Sequence, residues 1–175
     1  MLYFAYGSNM LTERLRARVP SAQPRATATL PRYTLCFHKR SQDGSGKCSV
    51  TDARGAPSPV HGVLFDIDQD GVSMLDAAEN RGHGYERQAV SVTTEDQTVQ
   101  AFAYIAQPAY VDNTLQPYDW YRRLVVAGAH QHGLPTAYRQ QVAAVSGMPD
   151  PDAARRRTHR SLLEDAGPQH LWPDA

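Results

Sequence analysis

Apolar and polar positions change their spacing several times along this chain, and each change predicts an element. Leu2-Tyr3-Phe4-Ala5-Tyr6 is an unbroken apolar run, the pattern of a buried strand. It leads straight into Gly7-Ser8-Asn9-Met10 and a helix from about Leu11 to Arg18, closed by Pro20. Strand signals fill 25–40, where Tyr33, Leu35 and Phe37 alternate with Thr34, Cys36 and His38. Asp43-Gly44-Ser45-Gly46 is a turn, so 47–52 returns as a hairpin partner, and Ala56-Pro57-Ser58-Pro59 is a loop. Val60 to Ile67 is a further strand. Asp68 then caps a helix that runs to about Glu79. Asn80-Arg81-Gly82-His83-Gly84 carries stop and turn chemistry. Strands over 86–94 and 98–106 follow, joined around Asp96-Gln97. Pro117 suits the first position of the next helix and Gly133 its end. Leu134-Pro135 opens a helix over 136–145, and 151–166 has polar, helical composition. About six strands reachable by hairpins, with helices inserted, make an α+β fold rather than a regular βαβ series.

Composition narrows the possibilities. The chain has 175 residues, 41% of them apolar, which suits one domain with a sizeable core. Its 18 basic and 18 acidic residues balance, so nothing global argues for nucleic acid or a membrane surface as partner. Cys36 and Cys48 make neither a disulfide framework nor a metal site. Although they could face each other across a hairpin, two thiols in a reducing compartment is the better reading. There is no transmembrane run, and the first residues lack the basic and long apolar regions of a signal peptide. The expected location is the cytoplasm. His83, His130 and His132 lack metal-ligand spacing, so no metal is expected. Arg155-Arg156-Arg157 reads as a solvated helix face.

The strand–Gly-Ser-Asn–helix junction is the first candidate for chemistry. Such a junction aims backbone N–H groups at one spot beside a helix N-terminus, which suits a carboxylate, a phosphate or a developing oxyanion. Gly7 permits positive φ and close approach, while Ser8 and Asn9 add short polar groups. No nucleophile elbow surrounds Ser8, which is better cast as an anion ligand.

Glu79 is the second candidate. On a helix Val72, Leu75 and Glu79 share a face, so Glu79 ends an apolar stripe at a helix C-terminus. Burial and the negative end of the helix dipole both disfavour its ionised form, as a general acid/base near neutral pH requires. The alternative is a surface glutamate tied to Arg81 or Arg87. Tyr121 shares a helical face with Leu124, Val125 and Gly128. It should point inward, with its hydroxyl partnered either by a core carbonyl or by a ligand. Gly128 would let a neighbouring element approach closely. Tyr85, Tyr104 and His83 are further candidates for a pocket wall.

Tyr3-Phe4-Ala5-Tyr6-Gly7-Ser8-Asn9-Met10, followed by Leu11-Thr12-Glu13-Arg14-Leu15, resembles the N-terminal signature of the γ-glutamylcyclotransferase family, usually YFAYGSNL. Leu75-Asp76-Ala77-Ala78-Glu79, then Gly82, Gly84 and Tyr85-Glu86-Arg87, follow the family's order of LD-x-x-E, glycine loop, tyrosine and strand. Tyr121 and the later Gly133-Leu134-Pro135 resemble its late segment. The loop Asn80-Arg81-Gly82-His83-Gly84 departs from relatives with Gly directly after the glutamate, which bears on loop shape and substrate preference.

The resemblance covers roughly 2–145. It implies a small mixed, partly closed β-barrel flanked by helices, with the cavity at its mouth. It also implies a domain over 1–147, with 148–175 as a polar extension that could pack across the barrel or mediate a homodimer. The implied reaction is cofactor-free cyclotransfer on a small γ-glutamyl compound, releasing 5-oxoproline. Glu79 would be the catalytic residue, and Tyr3, Phe4, Ala5, Tyr6, Gly7, Ser8, Asn9 and Tyr121 would bind substrate. Cyclotransfer on γ-glutamyl-amines or acyl metabolites, or non-catalytic γ-glutamyl binding, are the alternatives.

Overall fold

The computed structural model describes residues 1–53 and 59–165. Five strands make a closed mixed barrel in the order β1 (Leu2–Ala5), β5 (Val60–Asp66), β2 (Gln23–Leu30), β6 (Tyr85–Thr93), β7 (Thr98–Ala106). Strands β3 (Tyr33–Arg40) and β4 (Gly46–Asp52) form a separate antiparallel hairpin. Two seams close the ring through single bridge pairs: Tyr3 with Phe102, in parallel, and Thr29 with Thr93. Phe4, Leu64 and Phe65, from the paired strands β1 and β5, are fully buried at the centre.

The segment expected to carry strand signals throughout 25–40 is two strands. Pro31 and Arg32 break it, and Arg32 turns the chain at φ 66°. The break puts β2 in the barrel and sends β3 away from it. Cys36 pairs in register with Ser49 rather than Cys48, and both thiols are free. The expected loop at 56–59 lies mostly outside the described residues.

The first helix is shorter than its pattern suggests. A 3-10 turn spans Ser8–Met10, Leu11 caps the next element in extended conformation, and α1 covers only Thr12–Arg16. The free N–H groups beside the strand end therefore belong to the 3-10 turn. Gly7 sits at φ −114°, so the positive φ that glycine permits is not used there. Helix α2 (Gln69–Ala78) starts at Asp68, whose Oδ1 accepts the Gly71 amide at 2.7 Å. It ends at Glu79, its C-cap.

Helix α3 (Asp119–Gln131) begins at Tyr118 as N-cap, two residues beyond the start expected from Pro117. One face is buried over most of its length, and Gly128 lies directly against Met10 and Leu11. A Cβ at 128 would stand 2.4 Å from the Leu11 amide nitrogen, so only hydrogen there lets the helix press on the 3-10 turn. Helix α4 (Thr136–Ala143) follows Pro135. Helix α5 (Ala153–Asp165) docks on α3, where His159 stacks on Trp120 with centroids 3.7 Å apart. Arg155 grips the buried Asp150 through two nitrogens, each at 2.6 Å. No helix among the described residues is long and apolar enough to cross a membrane.

Candidate active site

A small notch of about 40 Å³ opens where β1 meets the 3-10 turn. Tyr3, Tyr6, Gly7, Ser8, Asn9, Cys48, Glu79, Tyr85, Tyr104 and Tyr121 line it. Residues from five separate stretches of sequence therefore meet in one place. Phe4 and Ala5 are absent from the lining; both are fully buried in the barrel, where Phe4 packs near Tyr6 and Gly62. His83 faces a larger outer vestibule instead.

The tyrosines divide into wall and donors. Tyr6 donates its hydroxyl to the Tyr104 carbonyl, Tyr85 donates to the Cys48 carbonyl at 2.5 Å, and Tyr104 donates to Asp76 Oδ1 at 2.5 Å. Those three protons are spent. Tyr121 Oη accepts the Cys48 amide at 3.1 Å, and Tyr3 Oη accepts Asn9 Nδ2 at 3.1 Å; neither proton is committed to a carbonyl or carboxylate, and that of Tyr121 has only the weak Cys48 thiol as a partner. Burial pushes the pKa of Tyr3 and Tyr121 above the ordinary phenol value; the Glu79 charge adds to it at Tyr3, and Cys48 followed by Glu79 at Tyr121, which keeps both neutral. The same burial pushes the Cys48 thiol up to about 12, which makes it a poor nucleophile.

Cys48 escaped the sequence reading because its contribution is backbone. Its amide holds Tyr121 of α3 and its carbonyl holds Tyr85 of β6. The β3–β4 hairpin, outside the barrel, is thus latched across its mouth. Ser49 Oγ adds a third tie by accepting the Ala106 amide at 2.9 Å. Space at Gly7 is tight: a Cβ would stand 3.0 Å from Cys48 Cβ and 3.4 Å from the Tyr121 hydroxyl, so those side chains would have to yield by a few tenths of an ångström.

Glu79 pairs with neither Arg81 nor Arg87, the partners of the alternative surface reading. Arg81 binds Asp76 and Glu86, and Arg87 binds Asp76. Glu79 Oε1 instead accepts Arg18 Nη1 at 2.7 Å and Asn9 Nδ2 at 2.9 Å. Arg18 also donates to Asn9 Oδ1 at 3.1 Å, which closes a three-residue ring around the carboxylate. Its side chain is 14% exposed. Both bonds fall on Oε1, so Oε2 has no protein donor among the described residues. Ser8 Oγ accepts Arg14 Nε at 3.0 Å, which leaves the serine proton free. Arg14 and Arg18 belong to α1 and its exit, and no spacing in the sequence marked them.

Comparison with known proteins fits this geometry. The model of the family described as "Gamma-glutamyl cyclotransferase, AIG2-like" matches residues 3–123. The chain belongs to that family. It is 31% identical over 150 residues to the γ-glutamylcyclotransferase of Homo sapiens, a match covering 82% of this chain and 78% of that one. The Bos taurus γ-glutamylcyclotransferase is 32% identical over 152 residues with the same coverage. A solved structure titled γ-glutamyl cyclotransferase superposes with a TM-score of 0.81 at 26% identity, covering 92% of this chain and 98% of that one.

Proposed function

We propose that this chain converts γ-glutamyl amino acids or peptides to 5-oxoproline and a free amino acid or peptide, with Glu79 as acid and base. The named relatives support cyclotransfer on γ-glutamyl compounds, and the observation that carries the residue roles is the half-free carboxylate of Glu79 on the same notch as Gly7, Ser8 and Tyr121. In such a substrate the nucleophile is already present. The α-amine, once it loses a proton, attacks its own γ-carbonyl carbon; a C–N bond forms and closes a five-membered ring. Oε2 of Glu79 takes the ammonium proton. It returns that proton to the leaving nitrogen as the original amide bond breaks, and the second proton shed by the ring nitrogen passes through the same carboxylate to the departing amine, which leaves as an ammonium. Proton count and charge balance without a cofactor.

The remaining groups orient and stabilise. The amides of Gly7 and Ser8 and the hydroxyl of Ser8 face the developing oxyanion or the glutamyl carboxylate. Tyr121 and Tyr3 donate to the glutamyl unit from either side. Asn9 and Arg18 fix the carboxylate by its other oxygen, so that Oε2 meets the amine in a ring-closing geometry. Tyr6, Tyr85 and Tyr104, with their protons spent, form the wall. A small soluble γ-glutamyl compound is the partner, and the cytoplasm is the compartment in which its thiols stay reduced.

The direct test is incubation of the purified chain with γ-glutamyl-alanine and detection of 5-oxoproline and alanine by mass spectrometry. Equimolar release supports the reading. Tight binding with no release would leave a γ-glutamyl binding module in its place.

A further inference from the structure

Outside the notch lies a vestibule of about 650 Å³, and its wall carries Arg14, Arg18, Lys39, Lys47 and the exposed Arg40, which donates to the Ala109 carbonyl, beside Glu79. Two of these cations have carboxylate partners: Arg18 binds Glu79 at 2.7 Å and Lys47 binds Asp43 at 2.7 Å. Arg14 and Lys39 have no carboxylate within ion-pair distance among the described residues. Arg14 is only 8% exposed and spends one N–H, on Ser8 Oγ. Its Nη groups have no protein acceptor among the described residues, although they border the vestibule. Burial, with the neighbouring Arg18 charge, lowers the Arg14 pKa to about 10. Lys39 Nζ stands 4.7 Å over the Tyr85 ring, beside the notch, with its pKa lowered by burial.

A guanidinium taken out of water without a carboxylate is costly, and the arrangement is complete only when an anion enters. Glu79 makes no ion pair with either cation; its charge reaches both from a distance, and its one bonded cation is Arg18. The anion must come with a ligand whose reacting amide lies at Glu79 and whose other end reaches into the vestibule. In a γ-glutamyl substrate that end is the leaving group.

We propose that Arg14 and Lys39 bind a carboxylate carried by the leaving group, and so select γ-glutamyl amino acids and peptides over γ-glutamyl amines. This rests on the cyclotransferase reading above. An uncharged amine would leave both cations unpaired, and a cationic one would be repelled.

The experiment compares γ-glutamyl-alanine with γ-glutamyl-ethylamine, which differ only in that carboxylate, by rate of 5-oxoproline release from the full chain. The parent should prefer γ-glutamyl-alanine by about 10- to 100-fold in kcat/KM, mostly through KM. Lys39→Gln and Arg14→Gln should each cut that preference by at least about threefold, with the loss falling on γ-glutamyl-alanine. Should Arg14→Gln fail to fold by circular dichroism, Lys39→Gln, at a half-buried position, carries the test. Equal rates for both substrates in the parent would overturn the inference and leave cyclotransfer standing. So would equal losses on both substrates in both variants, which would assign the cations to the glutamyl carboxylate. No 5-oxoproline from either substrate would remove the reading beneath it and the inference together.

Discussion

The notch and the vestibule share Ser8, Glu79, Tyr85 and Tyr121, yet they are built on opposite principles. In the notch each polar side chain is fixed by at least one protein partner before any ligand arrives: three tyrosine protons are spent on protein acceptors, and Glu79 is held by Asn9 and Arg18 through one oxygen. In the vestibule Arg14 and Lys39, both drawn partly out of water, have no ion-pair partner among the described residues. The difference separates two tasks. Ring closure requires groups whose positions are settled in advance, because reorganisation would add to the barrier. Choosing a leaving group requires unspent charge, because a satisfied site has nothing left to offer.

The sharpest way to break this contrast is Glu79→Gln. It keeps size and hydrogen bonding but cannot take a proton. Turnover should fall by at least about 10³ with the circular dichroism spectrum unchanged. Parent-level 5-oxoproline release would remove Glu79 from the chemistry. Asn9→Ala comes next. It opens the ring around the carboxylate while leaving Arg18, so kcat should fall about 10- to 100-fold with a smaller change in KM. A change confined to KM would make Asn9 a binding group rather than a positioning one.

Gly128→Ala tests whether α3 holds the notch in place from behind. Alanine favours a helix by about 1 kcal/mol over glycine. The new methyl would stand 2.4 Å from the Leu11 nitrogen and 2.6 Å from the Met10 carbonyl carbon, and backbone cannot swing aside as a side chain can. Overpacking should win, with a net loss of about 1–3 kcal/mol in chemical denaturation. Increased stability would show that the turn yields.

The smallest effect is on acid stability. The pKa of His159 is lowered to about 4 by burial, helped by the charges of Arg14, Lys47, Arg18 and Arg155. The unfolded chain binds this proton first, near pH 6.5. The contribution to stability is therefore full above about 6.5 and is lost as pH falls towards about 4. An NMR titration should find the ring neutral at pH 5.5. A midpoint near 6.5 would mean that neither burial nor the field of the vestibule acts on it.

Much of the barrel was legible because its signals are local. The run at Leu2–Ala5, the Asp68 cap and the pair β6–β7 follow from side-chain period and turn chemistry, which neighbouring residues decide. The split at Pro31-Arg32 is less so. Both sides alternate well enough to be strand, and only the turn at Arg32 divides them. At the site, Glu79 and Tyr121 stood on apolar helical stripes, so their inward direction could be read. Phe4 and Ala5 could not be separated from the neighbours that line the notch, because a buried strand is apolar on both faces.

The sequence by itself determined most of the elements, the family, a Gly-Ser-Asn turn and a carboxylate at a helix end, since each depends on residues close together in the chain, whereas the meeting of that turn and that carboxylate joins residues seventy positions apart. Tertiary structure alone decided the pairings. Arg18 rather than Arg81 or Arg87 meets Glu79, the Cys48 backbone fastens a hairpin over two tyrosines, and Arg14 ends buried with no acid in ion-pair contact among the described residues. Those outcomes are set by which charges and donors arrive within a few ångströms after the strands close, and spacing along the chain carries no record of that distance.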